Sequence, residues 1–174
     1  VIVATVRALK MHGGVAKNNL KEENVEALQA GIENLAKHVD TVRQFGAEPV
    51  VALNRFITDT EAELATILAW CASEGVRIAR TNVWEQGGKG GIELAEKVLE
   101  VIEAGNNFAQ LYDVEQSIEQ KVTMIVQKVY GGDGVHFTEK AKKQIVQIEQ
   151  FGWDVLPICM AKSQYSLTDD LTRF

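Results

Sequence analysis

Pro49-Val50-Val51-Ala52-Leu53-Asn54-Arg55-Phe56-Ile57 decides the fold. Four apolar residues in a row behind a proline read as a strand buried on both faces. The proline stands at its entrance, where no ladder donor is lost. The run ends in the polar pair Asn54-Arg55 and a large ring, Phe56. Thr58 and Glu61 then stand at capping-box spacing, which predicts a helix through Leu64, Ile67, Leu68 and Cys71 to Gly75. A second apolar run, Val76 to Val83, predicts the next strand. Strand, helix and strand in close succession make a βαβ unit.

Working outward, Val1 to Leu9 is a further strand candidate, running into the turn Met11-His12-Gly13-Gly14. From Lys21 to Phe45, Val25, Leu28, Ile32, Leu35, Val39 and Val42 recur at spacings of three and four, one stripe of a long helix closed by Gly46. Downstream, Trp84 is followed by Gly87-Gly88-Lys89-Gly90-Gly91. A helix then buries Ile92, Ala95, Val98, Leu99 and Ile102 and stops at Gly105. The repeated rhythm predicts an α/β fold, a parallel sheet with flanking helices. After Gly105 it changes to helices over Val114–Val129 and Thr138–Phe151, joined through Tyr130-Gly131-Gly132-Asp133-Gly134, and a last strand, Val155–Ala161. The expected division is therefore 1–105, a βαβ-rich segment, and 106–174, a helical segment with a final strand.

The 174 residues are 46% hydrophobic and 24% charged, with a net charge of −6. That is enough apolar residue to bury roughly 70% of the unfolded surface, which excludes a disordered chain. The acidic balance counts against a duplex nucleic-acid binder, and no apolar run reaches the roughly 18 residues of a membrane span. Cys71 and Cys159 form no CxxC pair and read as core thiols. Together with the lack of a signal-type leader they predict a cytoplasmic protein. The chain opens without Met inside the apolar run Val1-Ile2-Val3-Ala4, which reads as part of a longer, multidomain chain.

Ligands of parallel α/β sheets bind outside the carboxyl ends of the strands. Three loops are expected there: His12-Gly13-Gly14, Asn54-Arg55-Phe56 and the stretch after Trp84. Phe56 and Trp84 on neighbouring strand ends would clamp a flat heterocycle; the plainer alternative is that they plug the sheet rim. The glycine-rich stretch opens a helix and offers free N–H groups to an anion, or simply lets the backbone turn. Arg55, Arg80 and Lys89 would add a positive patch suited to a carboxylate or phosphate tail. No Gly-x-x-x-x-Gly-Lys-Ser/Thr loop occurs. His12, His38 and His136 lie in different elements without metal-ligand spacing, and no Ser-His-Asp or Cys-His set emerges. Lys162, Gln164 and Tyr165 follow the last strand as further candidates for a pocket wall, and Asp169-Asp170 read as a solvated turn or cap.

Five separated motifs together resemble one family. They are Ala4-Thr5-Val6-Arg7-Ala8-Leu9-Lys10-Met11-His12-Gly13-Gly14; Ala52-Leu53-Asn54-Arg55-Phe56 with Thr58-Asp59-Thr60-Glu61; and Trp84 with Gly87-Gly88-Lys89-Gly90-Gly91. Tyr130-Gly131-Gly132-Asp133-Gly134-Val135 and Leu156-Pro157-Ile158-Cys159-Met160-Ala161-Lys162 complete the set. In that order they resemble formate–tetrahydrofolate ligases over essentially the whole chain. The resemblance implies P-loop-NTPase-like or Rossmann-like layers, and an enzyme that uses ATP to join formate to tetrahydrofolate through formyl phosphate. It also implies Mg²⁺ on the nucleotide, activation by a monovalent cation, and a cytoplasmic homo-oligomer, a tetramer in bacteria. Phe56 and Trp84 match the aromatic pair that sandwiches the folate ring, with Asn54, Arg55, Ile57 and Lys89 beside them as substrate-binding candidates. The family's phosphate-binding loop has no counterpart here, so no catalytic or metal residue is assigned, and this portion is expected to supply mainly the folate side. Ile57 stands where many relatives have Pro, and Ser163 where Thr is common. The alternative is a non-catalytic α/β module serving oligomer or partner contacts.

Overall fold

The computed structural model describes residues 1–160. Their contacts divide the chain into two compact units, one spanning Val1–Phe108 and the other beginning at Ala109.

The first unit is built on a parallel sheet of β1 (Ile2–Ala4), β2 (Val50–Asn54) and β3 (Arg77–Thr81), in the order β1-β2-β3. Ile2 pairs with Val51 and Ala4 with Leu53; Val51 pairs with Ile78 and Asn54 with Thr81. Side chains alternate along a strand, so Ile2, Ala4, Val51, Leu53 and Ile78 share one face. The main core lies on that face, against Val6 and Leu9 of α1 (Val6–His12), Leu28, Ile32, Leu35 and Val39 of α2 (Val25–Gln44), and Leu64, Ile67 and Cys71 of α3 (Glu61–Ser73). Burial pushes the Cys71 thiol up to about 11, so it stays protonated as a small apolar group. Val50, Ala52 and Ala79 are buried outside this cluster, and α5 (Ile92–Ala104) packs on β2 and β3. The parallel sheet with flanking helices is the α/β fold expected.

Several boundaries differ from the pattern reading. The strand expected over Val1–Leu9 ends at Ala4, because the Thr5 hydroxyl accepts a hydrogen bond from the Ala8 N–H at 3.1 Å and caps α1. Val6, Leu9 and Lys10 are then buried at helical spacing. Consequently His12-Gly13-Gly14 sits at the far end of α1, away from the strand end. Gly13 serves packing instead: a Cβ there would fall 1.8 Å from the Ala27 carbonyl oxygen, and one on Gly31 would fall 1.8 Å from that of Leu9. The two helix backbones touch at these glycines. The capping box of α3 is Thr60 with Glu63, two residues beyond Thr58 and Glu61. Helix α5 covers the expected residues, but none of them is buried: Ile92, Leu99 and Ile102 are 54%, 56% and 64% exposed.

In the second unit α6 (Ile118–Ile125) begins at a Ser117–Gln120 capping box, later than Val114, and runs into a π turn, Val126–Tyr130. Helix α7 (Glu139–Gln150) follows, within the expected span Thr138–Phe151, and Thr138 is its cap. No strand forms over Val155–Met160. Side chains take its backbone groups: Lys121 Nζ donates to the carbonyls of Asp154 and Leu156, and the Ile158 N–H donates to Tyr112 Oη at 2.8 Å. Cys159 is accordingly exposed rather than a core thiol. Ala161, Lys162, Ser163, Gln164, Tyr165, Asp169 and Asp170 lie outside the described residues. No helix among the described residues is long and apolar enough to cross a membrane.

Candidate functional site

Strands β2 and β3 end together at Asn54 and Thr81, and the Arg55 N–H donates to the Thr81 carbonyl at 3.1 Å, extending the ladder by one rung. Two loops leave from there. In the first, the Phe56 N–H donates to Asp59 Oδ2 at 2.8 Å and the Asp59 N–H returns to the Phe56 carbonyl at 3.0 Å, closing a tight turn. In the second, Asn82 opens a helical turn, α4 (Val83–Gln86), and its N–H donates to the Gly90 carbonyl at 3.1 Å. Gly90 is required by this approach, because a Cβ would lie 2.4 Å from the Asn82 oxygen. The loops are joined where Trp84 Nε1 donates to the Arg55 carbonyl at 3.1 Å.

Between them lies a cavity of about 290 Å³ lined by Arg55, Phe56, Ile57, Asn82, Trp84 and Glu85. That is near the lower end of ligand pockets, roughly 300–1,000 Å³. Ile57 at 84% and Trp84 at 61% exposure form an open apolar rim. Phe56, Trp84, Arg55 and Ile57 are thus brought together. Asn54 closes β2 and Lys89 lies on the exposed 3₁₀ segment Gly87–Gly91; neither lines the cavity. Asn82 and Glu85, joined by a short side-chain hydrogen bond, had escaped the pattern reading. Their signal was the Asn-x-x-Glu spacing just before the glycines.

The positive charge expected of Arg55, Arg80 and Lys89 is offset in part by one carboxylate. Glu61 bridges Arg55 at 3.4 Å and Arg80 at 3.2 Å, cancelling one of the two. Beneath the first loop, Arg7 lies over the Phe56 ring, its guanidinium carbon 4.3 Å from the centroid, and Arg7 Nη2 donates to Thr58 Oγ1 at 3.0 Å. Deeper, Lys10 and Glu63 form a buried pair at 2.7 Å. Glu63 also accepts from the Asn24 and Thr60 N–H groups, both at 3.1 Å. Burial opposes its ionisation, but the hydrogen bonds from Lys10, Thr60 and Asn24 outweigh it and hold Glu63 below its ordinary range. Asp59 moves the other way: burial raises it, and the Phe56 N–H only partly offsets that.

A family model described as formate–tetrahydrofolate ligase matches residues 1–173. The chain belongs to the formate–tetrahydrofolate ligase family. The ligases of Staphylococcus aureus strains JH9 and N315 are each 58% identical to it over 172 residues, covering 99% of this chain. The chain spans 31% of the length of these relatives.

In this ligase-family chain two larger hollows, of about 700 and 610 Å³, are more open than the cleft. The first, around Gln120 and Gln127 in the second unit, has Phe137 as its one aromatic; the second, between α2 and α3, has Trp70 and no charged lining residue. Neither offers two rings to one ligand. Burial, and for His12 the charge of nearby His38, lowers both imidazoles, yet no group of three metal-ligating side chains occurs among the described residues. No residue among those described is assigned to the magnesium nucleotide, whose metal takes its ligands largely from phosphate and water.

Proposed function

We propose that this chain supplies the folate-binding side of a formate–tetrahydrofolate ligase. In the reaction the family resemblance implies, ATP phosphorylates formate, and the tetrahydrofolate amine attacks formyl phosphate to give 10-formyltetrahydrofolate, ADP and phosphate. The same resemblance supports a cytoplasmic homo-oligomer, a nucleotide carrying Mg²⁺ and activation by a monovalent cation.

The observation that carries the reading is the cleft with Phe56 and Trp84 on adjacent loops of β2 and β3. A flat bicyclic ring placed there gains contact on two faces, each aromatic contact contributing about 0.5–1.5 kcal/mol beyond buried area. Arg55, Asn82 and Glu85 supply the polar edge that orients it. This chain's part in the reaction is positioning: holding the folate so that its amine meets the acyl carbon in reactive geometry.

The test is Trp84→Ala and Phe56→Ala in the full-length ligase. Each should raise the tetrahydrofolate KM by about tenfold. Titrating this chain with tetrahydrofolate should quench tryptophan emission saturably and lose that quenching in Trp84→Phe, the control for Trp70 and Trp153. A second reading, a contact module, rests on the exposed apolar residues of α5, Ile92, Leu99 and Ile102. It predicts an unchanged folate KM in both alanine variants.

A further inference from the structure

Arg7 is the feature that the cleft does not by itself explain. It stands on the first turn of α1, fifty-one residues from Thr58, yet its guanidinium reaches the loop that carries Phe56. One contact is with the ring, at 4.3 Å from the centroid, and the other is the 3.0 Å bond to Thr58 Oγ1. Arg7 is not among the residues that line the cavity. The ring of Phe56 is thus gripped by the guanidinium on one side while the same residue faces the cleft. Arg7 Nε is buried without a hydrogen-bond partner among the described residues, a cost tolerated at few places in a folded chain. A guanidinium accepts that loss here because its plane is used for stacking, which an ammonium cannot do.

The rest of the loop is fixed in the same manner. The Phe56 N–H is tied to Asp59 within the turn itself, and Thr58 is tied to Arg7 of α1, so the turn is closed locally and anchored to the helix beneath it. Ile57 between them remains open to solvent. The Phe56 side of the cleft is therefore set before any ligand arrives, and a surface organised in advance spends less of its contact energy on ordering. Trp84 has no such support from α1; its tether is the bond to the Arg55 carbonyl.

From this arrangement we infer that Arg7 is a positioning residue for the ligand cleft, holding the Phe56 ring in its stacking orientation through the Thr58 tether. The inference rests on the proposed folate cleft and deepens it. Arg7 acts on substrate only through Phe56, so its loss should weaken folate binding and leave the chemistry alone.

The experiment is steady-state kinetics of the full-length ligase carrying Arg7→Met, Arg7→Lys and Thr58→Val, with Phe56→Ala for comparison and the melting temperature of each. Arg7→Met should raise the tetrahydrofolate KM about tenfold while kcat and the KM values for ATP and formate stay within about twofold. Arg7→Lys, which keeps the charge over the ring, should recover part of the loss, and Thr58→Val should cost about threefold. Thr58→Val removes only the tether, so it answers the question even if Arg7→Met fails to fold. An unchanged folate KM in Arg7→Met and Thr58→Val, beside a raised one in Phe56→Ala, overturns the positioning role and leaves the cleft standing. A fall in kcat, all three KM values and melting temperature together also overturns it, assigning Arg7 to general stability. An unchanged folate KM in Phe56→Ala removes the cleft itself, and the inference with it.

Discussion

Two lysines, Lys10 in the first unit and Lys121 in the second, are buried to 1% and 0% exposure, and they are held in opposite ways. Lys10 meets a carboxylate, Glu63, at 2.7 Å and donates to the Glu22 carbonyl at 2.8 Å. Lys121 donates to the backbone carbonyls of Asp154 and Leu156. The first arrangement links α1, the cap of α2 and the cap of α3 through ionised side chains. The second replaces a strand's hydrogen-bond partners with one ammonium group, and an irregular segment is the result. The contrast shows two uses of the same side chain: a joint between regular elements, and a substitute for regularity.

Breaking the joint should have the largest effect. Glu63→Gln leaves Lys10 buried and uncompensated, and the expected loss is about 3–5 kcal/mol in urea unfolding of the first unit. A loss below 1 kcal/mol would mean the pair is solvated and the comparison fails. Lys121→Met comes next, at about 1–3 kcal/mol, because two carbonyls lose a partner while a buried charge is removed as well. Hydrogen exchange should quicken at Ile158 in this variant and remain unchanged in β2.

Smaller still is the cap. Thr60→Ala should cost about 1 kcal/mol, whereas Thr58→Ala should cost less, since Thr60 and not Thr58 caps α3. Equal costs would return the cap to the spacing first expected.

The smallest effect is in pH, and it belongs to the first unit. His12 and His38 bind protons less readily when folded, the first because of burial and then of its neighbour, the second because of burial. As pH falls through their ordinary value near 6.5, the unfolded chain takes up protons first, so stability present above 6.5 is lost below it. Asp59, raised by burial, has the reverse sign: it holds its proton longer when folded, and stability falls as pH rises through the acid range above its ordinary value. Denaturation midpoints between pH 7.5 and 5.5 should decline, and His38→Gln should flatten the decline.

Much of this architecture was legible because periodicity and strand ends are local signals. Val50–Leu53, the stripe of α2 and the aromatic residues after β2 and β3 each declare themselves within a few residues. The errors arose where a side chain redirects backbone. Thr5 turns an apolar run from strand to helix with one hydroxyl, and apolar runs of that length do not distinguish the two states. Thr58 and Thr60 offer the same chemistry two residues apart, and one tertiary contact separates them: Arg7 takes Thr58 from fifty-one residues away, while Thr60 pairs locally with Glu63 as the cap. Lys121 lies thirty-three residues from the Asp154 carbonyl, beyond any local pattern. In the cleft, Phe56 and Trp84 could be read from their loops, whereas Arg7 could not, since its role depends on α1 beginning at Val6.

The reciprocal contact of Gly13 and Gly31 extends further than its own packing. With backbone against backbone there, a side chain at either glycine would push α1 away from α2 and carry Arg7, on the same helix, with it. In a deep mutational scan of the full-length ligase scored on the proposed folate function, both glycines should therefore score with the residues that line the cleft, although neither is among them. Tolerance at a site would then measure its place in the gauge that sets Phe56 rather than its distance from the ligand.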